Sequence, residues 1–245
     1  MNPSPTPARF SSAHGRATVV KILLVIGAIT CALLLVAEAL TFVFPVPTDE
    51  EEFGEATVGV LVMLIIFLLS ILATIIYLVT VVFFCTWLYR AYDNLRAFNP
   101  WARLEYSPGW AVGSFFIPFV NLVLPYKAVR EVWEKSGHPD EAFLYAPKPP
   151  AWFHFWWAFW LLSNFAGNIS FRVSFSENAD VSTSMMVDIV ASALAVVAAL
   201  FAYIVVDAID RRQEETSGKV KLGDFSGPPP PPAGFPLPDA VAPAP

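Results

Sequence analysis

Residues 58–88 read VGVLVMLIIFLLSILATIIYLVTVVFFCTWL, without one charged side chain. A helix of that length runs about 46 Å at 1.5 Å per residue, well beyond the ~30 Å hydrocarbon core of a bilayer. It must tilt or protrude. Three further apolar runs accompany it, at residues 22–44, 152–169 and 185–206. Three of the four reach the ~20 residues that a crossing needs. Helices of a soluble domain keep a polar face for water, and these runs keep almost none. The chain reads as an all-α membrane protein with four transmembrane helices and no β-sheet.

Composition agrees. Hydrophobic residues make up 56% and charged residues 15% of the chain, which puts it on the apolar, charge-poor side of globular norms. The net charge of −6 is unevenly spread, with Asp49, Glu50, Glu51, Glu52 and Glu55 in one loop. No Lys/Arg block is dense enough for nucleic-acid binding. Cys31 and Cys85 fall at different depths of the proposed spans. A disulfide needs Cα atoms within roughly 7 Å, so they read as unbridged small hydrophobes. The first run has basic flanks (Arg9, Arg16, Lys21) and an Ala37, Glu38, Ala39 triplet that loosely fits a leader-cleavage site. It is longer than the ~7–15 residues of a leader's apolar region, so it reads as a retained span. Its apolar side chains each favour insertion by about 0.3–0.6 kcal/mol, which outweighs the ~3 kcal/mol cost of Glu38.

Charge settles the threading. Residues 110–124 are apolar but would span only about 22 Å, with Pro118 breaking the middle. If they do not cross, Arg90, Arg96, Arg103, Lys127, Arg130, Lys135 and Lys148 share one side with Arg9, Arg16, Lys21, Arg211, Arg212, Lys219 and Lys221. The other side holds the acidic loop, which has no Lys or Arg, and a short loop carrying Arg172. The positive-inside rule favours four crossings with both termini cytoplasmic. Residues 110–136 then hold a re-entrant or in-plane segment followed by an amphipathic interfacial helix. In that helix Asn121 is placed to cap, with Leu122, Tyr126, Val129 and Trp133 on the buried stripe. Lys127, Arg130, Glu131, Glu134 and Lys135 cover the remainder. Residues 1–18 and the Pro-rich residues 216–245 read as disordered tails around a 19–215 membrane domain.

No catalytic motif is present. There is no GxSxG, HExxH or Walker loop, and His14, His138 and His154 form no ligand set, so neither cofactor nor metal is expected. What remains is polarity within the spans. His154, Trp157, Leu161, Asn164 and Asn168 share one helix face, and Asp188, Ala191, Ala195, Ala198 and Ala202 share another. Gly27, Cys31, Leu34, Glu38 and Thr41 form a third stripe. The threading groups Glu38, Asn164, Asn168 and Asp188 in the outer half, with Arg172 just outside. Acids within a bilayer seek partners, so Glu38 or Asp188 is expected to pair with Arg172.

One block resembles a known family. It runs from Phe84 through Thr86, Trp87, Leu88, Tyr89, Arg90, Ala91, Tyr92, Asp93, Asn94 and Leu95 to Ser107, Pro108, Gly109 and Trp110. It continues through Phe116, Ile117, Pro118, Phe119, Val120 and Asn121 to Pro125, Tyr126, Lys127, Arg130, Glu131 and Trp133. This is similar to the DUF4328 family of bacterial, largely actinobacterial, membrane proteins, with the likeness extending over about residues 78–212 and including Arg172 and the closing Arg211, Arg212 and Gln213. The family's function is unknown, so the resemblance carries over no catalytic or ligand residue. It does point to a cytoplasmic-side element of Trp87, Arg90, Tyr92, Asn94, Trp110, Pro118, Asn121, Tyr126, Glu131 and Trp133.

The leading functional expectation is a bacterial plasma-membrane protein acting as a non-enzymatic interaction or regulatory module. Its partners would be the lipid bilayer and a protein partner or second copy, with no nucleic acid. The competing expectation is a small transporter or channel component using the outer polar cluster. A third is a lipid or partner site built on the re-entrant segment with Trp101, Trp110 and Trp133.

Overall fold

The computed structural model describes residues 10–44, 58–98, 103–137, 148–176 and 180–219. The acidic loop, Trp101, His138 and most of both tails lie outside the described residues. Those that are described form helices and short connections, with no strand among them. The helices are α1 (His14–Leu40), α2 (Val58–Asp93), α3 (Leu95–Phe98), α4 (Pro108–Gly113), α5 (Leu124–Lys135), α6 (Ala151–Ser174) and α7 (Val181–Lys219). Short 3-10 segments at Ser114–Phe116 and Val120–Leu122 join α4 to α5.

Three stretches are long and apolar enough to cross a membrane: His14–Leu40, Val58–Phe98 and Ser182–Gly218. Hydroxyls inside the first two are satisfied locally. The hydroxyls of Thr30, Ser70, Thr74 and Thr80 donate to the carbonyls of Ile26, Ile66, Ser70 and Ile76 at 2.6–2.9 Å, as an apolar surrounding requires. Helix α6, at 24 residues, is about 36 Å long, but His154, Ser163, Asn164 and Asn168 dilute its apolar character. Both Cys31 and Cys85 are free thiols.

The long helices run up and down in the order α2–α1–α7–α6, each packed on the next. Small residues let α1 and α7 approach: Ala17, Ala28 and Ala37 are buried on one, Ala198 and Ala202 on the other. Helix α1 begins at His14, inside the stretch read from sequence as a tail, because its first turns pack on α7. Helices α2 and α7, of 36 and 39 residues, overrun a bilayer's thickness at the same end. There α3, α4 and α5 close over the bundle.

Burial is concentrated at this capped end. One cluster joins Ala13, Ala17 and Val20 of α1 and its lead-in, and Trp87, Leu88, Ala91 and Tyr92 of α2. It continues through Ala128, Val129 and Val132 of α5, and Phe153 and Trp156 of α6, to Val205, Val206 and Ile209 of α7. Toward the other end the side chains of α2 face outward: Phe67 is 62% and Leu78 58% exposed. The protein therefore has a closely packed cap and an open apolar surface.

Asp180 starts α7. The Thr183 backbone N–H and the Ser182 and Thr183 hydroxyls hold its carboxyl down at about 2. A depressed acid stabilises the fold above its ordinary titration range and loses that contribution as pH falls through the folded value. Acidification toward pH 2, like Asp180→Ala at neutral pH, is expected to raise amide exchange at Ser182–Ser184, and the substitution at neutral pH leaves the capped end protected. Equal exchange in the two proteins at neutral pH would refute this role.

Candidate functional site: the capped end

The hairpin that forms the cap begins at Ser107, whose Oγ accepts from the Trp110 N–H at 3.1 Å and starts α4, with Pro108 in its first turn. That is the residue chemistry a helix start prefers. Ala111 and Ser114 are buried, and α4 packs on α2. Phe115 is a wedge between two long helices, its ring centroid 5.7 Å from Phe84 of α2 and 6.0 Å from Trp160 of α6.

The chain then reverses around Pro118 and Phe119. Phe119 has φ 63°, and the Val120 N–H donates to the Pro118 carbonyl at 2.8 Å. This is a γ-turn centred on a non-glycine residue, a conformation that is rare and strained, at a cost on the order of 1–3 kcal/mol. The Trp157 indole N–H donates to the Leu122 carbonyl at 3.1 Å and fixes the returning arm of the hairpin.

Helix α5 descends antiparallel to the start of α6. Tyr126 meets Phe153 at 5.8 Å and His154 at 5.9 Å, and about two turns further along the same face Trp133 meets Trp152 at 5.7 Å. Its buried face is rotated from the predicted stripe. Pro125, Ala128, Val129, Glu131 and Val132 are buried; Tyr126 and Trp133 are only partly so, and Leu122 is exposed. Asn121 caps nothing: it sits in the 3-10 segment, and α5 starts at Leu124 behind an N-cap, Val123, that makes no side-chain cap.

The rotation exists because Glu131, assigned by pattern to the polar face, is 5% exposed and is the acceptor for three elements. The Tyr92 hydroxyl of α2 donates to Glu131 Oε2. The Glu105 N–H donates to Oε1 at 2.8 Å, and Lys135 Nζ also reaches Oε1. Tyr92 in turn accepts from the Tyr106 N–H at 2.9 Å. Lys135 additionally donates to the Arg103 carbonyl. The approach to α4 is thereby tied to α2 and α5 together. Burial, with the charge of Glu105 beside it, pushes the Tyr106 phenol up.

A second buried network joins α2, α5 and α7. Asn94, at the break between α2 and α3, donates to Gln213 Oε1 at 3.3 Å and accepts from the Ser11 N–H at 3.3 Å. Gln213 donates to the Ala91 carbonyl at 2.8 Å and Ser136 Oγ at 3.0 Å. Thr216 Oγ1 donates to the Ser136 carbonyl at 2.8 Å. Beside it the Arg212 guanidinium lies 5.0 Å over the Trp133 ring, and a Cβ at Gly137 would collide with Arg212 Nη2. Along α7, Asp210 accepts from Lys21 at 3.3 Å and lies 2.8 Å from His14 Nδ1, while Asp207 accepts from Lys21 at 3.0 Å. Arg90 pairs with Asp93 of its own helix at 2.9 Å.

Of the sequence-predicted cap residues, Trp87, Tyr92, Asn94, Glu131 and Trp133 come together in this core and its networks. Arg90, Trp110, Pro118 and Asn121 lie at its margin. Sequence reasoning missed Gln213 as a hub, along with Ser136, Thr216 and Asp210. The available signal was polar residues at three-residue spacing, Asp210, Gln213 and Thr216, continuing the buried face of Val206 and Ile209.

At the opposite end the polar cluster is arranged differently from the sequence reading. Glu38 is buried and accepts from Ser192 Oγ at 3.1 Å, and the Ser170 hydroxyl donates to Asp188. Arg172 is exposed and pairs with neither acid. The Asn164 and Asn168 amides donate to carbonyls of their own helix, those of Trp160 and Asn164, at 2.7 and 2.8 Å. Serine hydroxyls on facing helices, rather than the arginine, hold the two acids.

These features define an all-helical protein with membrane-length apolar helices, closed at one end by a hairpin-built polar and aromatic cap. The family model of the domain of unknown function DUF4328 matches residues 55–211, from just ahead of α2 to within α7, and the chain belongs to that family. No curated protein and no solved structure matches it.

Proposed function

We propose that this chain is a multi-pass plasma-membrane protein of bacteria that crosses four times, keeps both termini cytoplasmic and works as a non-enzymatic interaction or regulatory module. The fourth crossing is α6. Its length is sufficient, Trp156 and Trp157 turn inward, and its amides bond within the helix, which removes most of the cost of burying them. Orientation follows from charge. Among the described residues every Lys and Arg except Arg172 lies toward the capped end, and such asymmetry marks the cytoplasmic face.

The α4–α5 hairpin is then re-entrant from the cytoplasmic side rather than in-plane. Helix α5 tracks α6 antiparallel, and the turn reaches the level of Trp157. Irregular backbone at that depth is tolerated where protein covers it, and Phe115 and Trp157 supply the cover. The observation that carries the module reading is the position of the core. The buried polar groups Tyr92, Glu131, Asn94, Gln213 and Ser136 hold helices to one another, which suits a fixed cytoplasmic platform.

Labelling in a Cys31→Ala, Cys85→Ala background tests the topology. Lys127→Cys, on the exposed side of α5, is expected to react only from the cytoplasmic side and Ser176→Cys only from outside. Periplasmic reaction of Lys127→Cys would refute four crossings. Cation flux in proteoliposomes tests the role: none is expected, with Glu38→Gln indistinguishable from the parent. A flux that Glu38→Gln abolishes would establish the transporter reading instead.

A further inference from the structure

The tip of the hairpin combines two features that the fold itself does not explain. Phe119 holds a backbone conformation suited to glycine, yet carries a large apolar side chain that is 86% exposed. Beside it Phe116 is 64% and Val123 50% exposed. A strained position occupied by a side chain left almost wholly exposed among the described residues points to a role outside the chain. The second feature is a gradient. Val123 is the N-cap residue of α5, and Lys127 and Arg130 follow on one face of the helix at three-residue spacing. Lys127 is exposed and makes no ion pair among the described residues, and Arg130 is bonded to Glu134 at 2.7 Å. From Val123 to Arg130 the face rises about 10 Å, passing from apolar to cationic. A leaflet makes the same passage from acyl chain to headgroup over a comparable depth, and long basic side chains reach up to that boundary.

We propose that this tip is a binding site for anionic phospholipid, with Phe119 and Val123 among the acyl chains and Lys127, flanked by Arg130, on the headgroup phosphate. The proposal rests on the re-entrant reading above and names the partner of that element. Complementary charge selects an anionic lipid over a zwitterionic one, and over a second copy of the chain, which would bring the same cationic face.

The test uses the full chain in nanodiscs, with Phe119→Cys carrying an environment-sensitive fluorophore in the Cys31→Ala, Cys85→Ala background. The expected results are a blue-shifted emission quenched by acyl-chain nitroxide lipids, and preferential retention of phosphatidylglycerol over phosphatidylcholine by native mass spectrometry. Lys127→Gln is expected to cut that retention about fivefold, the equivalent of about 1 kcal/mol for one basic side chain at the surface, and Lys127→Arg to restore it. Phe119→Gly relaxes the turn, so its thermal midpoint stays level or rises while lipid retention falls. An unquenched, water-like emission overturns the proposal, as does retention indifferent to Lys127→Gln or to headgroup charge. Quenching that depends on protein concentration rather than on nitroxide lipid assigns the tip to a second copy and overturns it too. Cytoplasmic labelling of Lys127→Cys alongside any of these leaves the topology standing, so the two failures are told apart.

Discussion

Replacing Glu131 with Ala is expected to destabilise the protein by about 3 kcal/mol, although the residue looks like one more surface acid on an amphipathic helix. Its carboxylate is buried and accepts from the Tyr92 hydroxyl, the Glu105 N–H and Lys135. Bonds to a charged acceptor contribute about 1.5–3 kcal/mol each, and a buried donor left without its acceptor costs about 1–3. The Lys135 partner is 29% exposed, so water screens it and its share is below about 1 kcal/mol. The dominant loss is therefore at Tyr92 and Glu105. Glu131→Gln keeps one acceptor oxygen and should lose about 1–2 kcal/mol. Tyr92→Phe should lose a similar amount, because the Tyr106 N–H is also left unsatisfied. The measurement is a double-mutant cycle on unfolding in detergent. Coupling between Tyr92→Phe and Glu131→Gln of about 1 kcal/mol or more is expected. Strict additivity would show that the two side chains do not share a bond.

The same residue shows where sequence legibility ended. Long helices were readable because apolar runs need no long-range information. The break at Pro118, the overrun of 58–88 and the unbridged cysteines follow from ring chemistry, length and depth. The rotation of α5 was not readable. A polar residue is assigned to solvent by default, and only a partner far along the chain, Tyr92, changes that assignment for Glu131. Gln213 is a similar case, because its carboxamide matters only once α2 and α5 have brought Ala91, Asn94 and Ser136 to it. The expected pairing of Arg172 failed for a related reason. Sequence counts charges readily but does not show that Ser192 and Ser170 stand opposite Glu38 and Asp188. The cap's composition was visible, notably in the motif block from Trp87 to Trp133. Its hydrogen-bond wiring is a property of tertiary contact and was not.

Phe153→Ala is expected to cost about 3–5 kcal/mol, the usual range for deleting a fully buried aromatic ring, while Leu72→Ala on α2 should cost less than about 1. The contrast follows from where the protein buries surface. Phe153 is 0% exposed. Its ring meets Tyr126 at 5.8 Å, Trp156 at 5.6 Å and Trp133 at 6.5 Å, so its loss opens a cavity shared by α5 and α6. Leu72 is 46% exposed and faces outward from α2, where hydrocarbon replaces hydrocarbon and no aqueous driving force is lost. Unfolding in detergent micelles, read by tryptophan fluorescence for the cap and by circular dichroism for the helices, separates the two. For Phe153→Ala the fluorescence transition should come at lower denaturant, with the long helices retained beyond it, since helices in an apolar surrounding keep their own hydrogen bonds. Equal losses for the two variants would mean that stability is spread along the helices, and the cap would then be an appendage rather than the core that holds them in register.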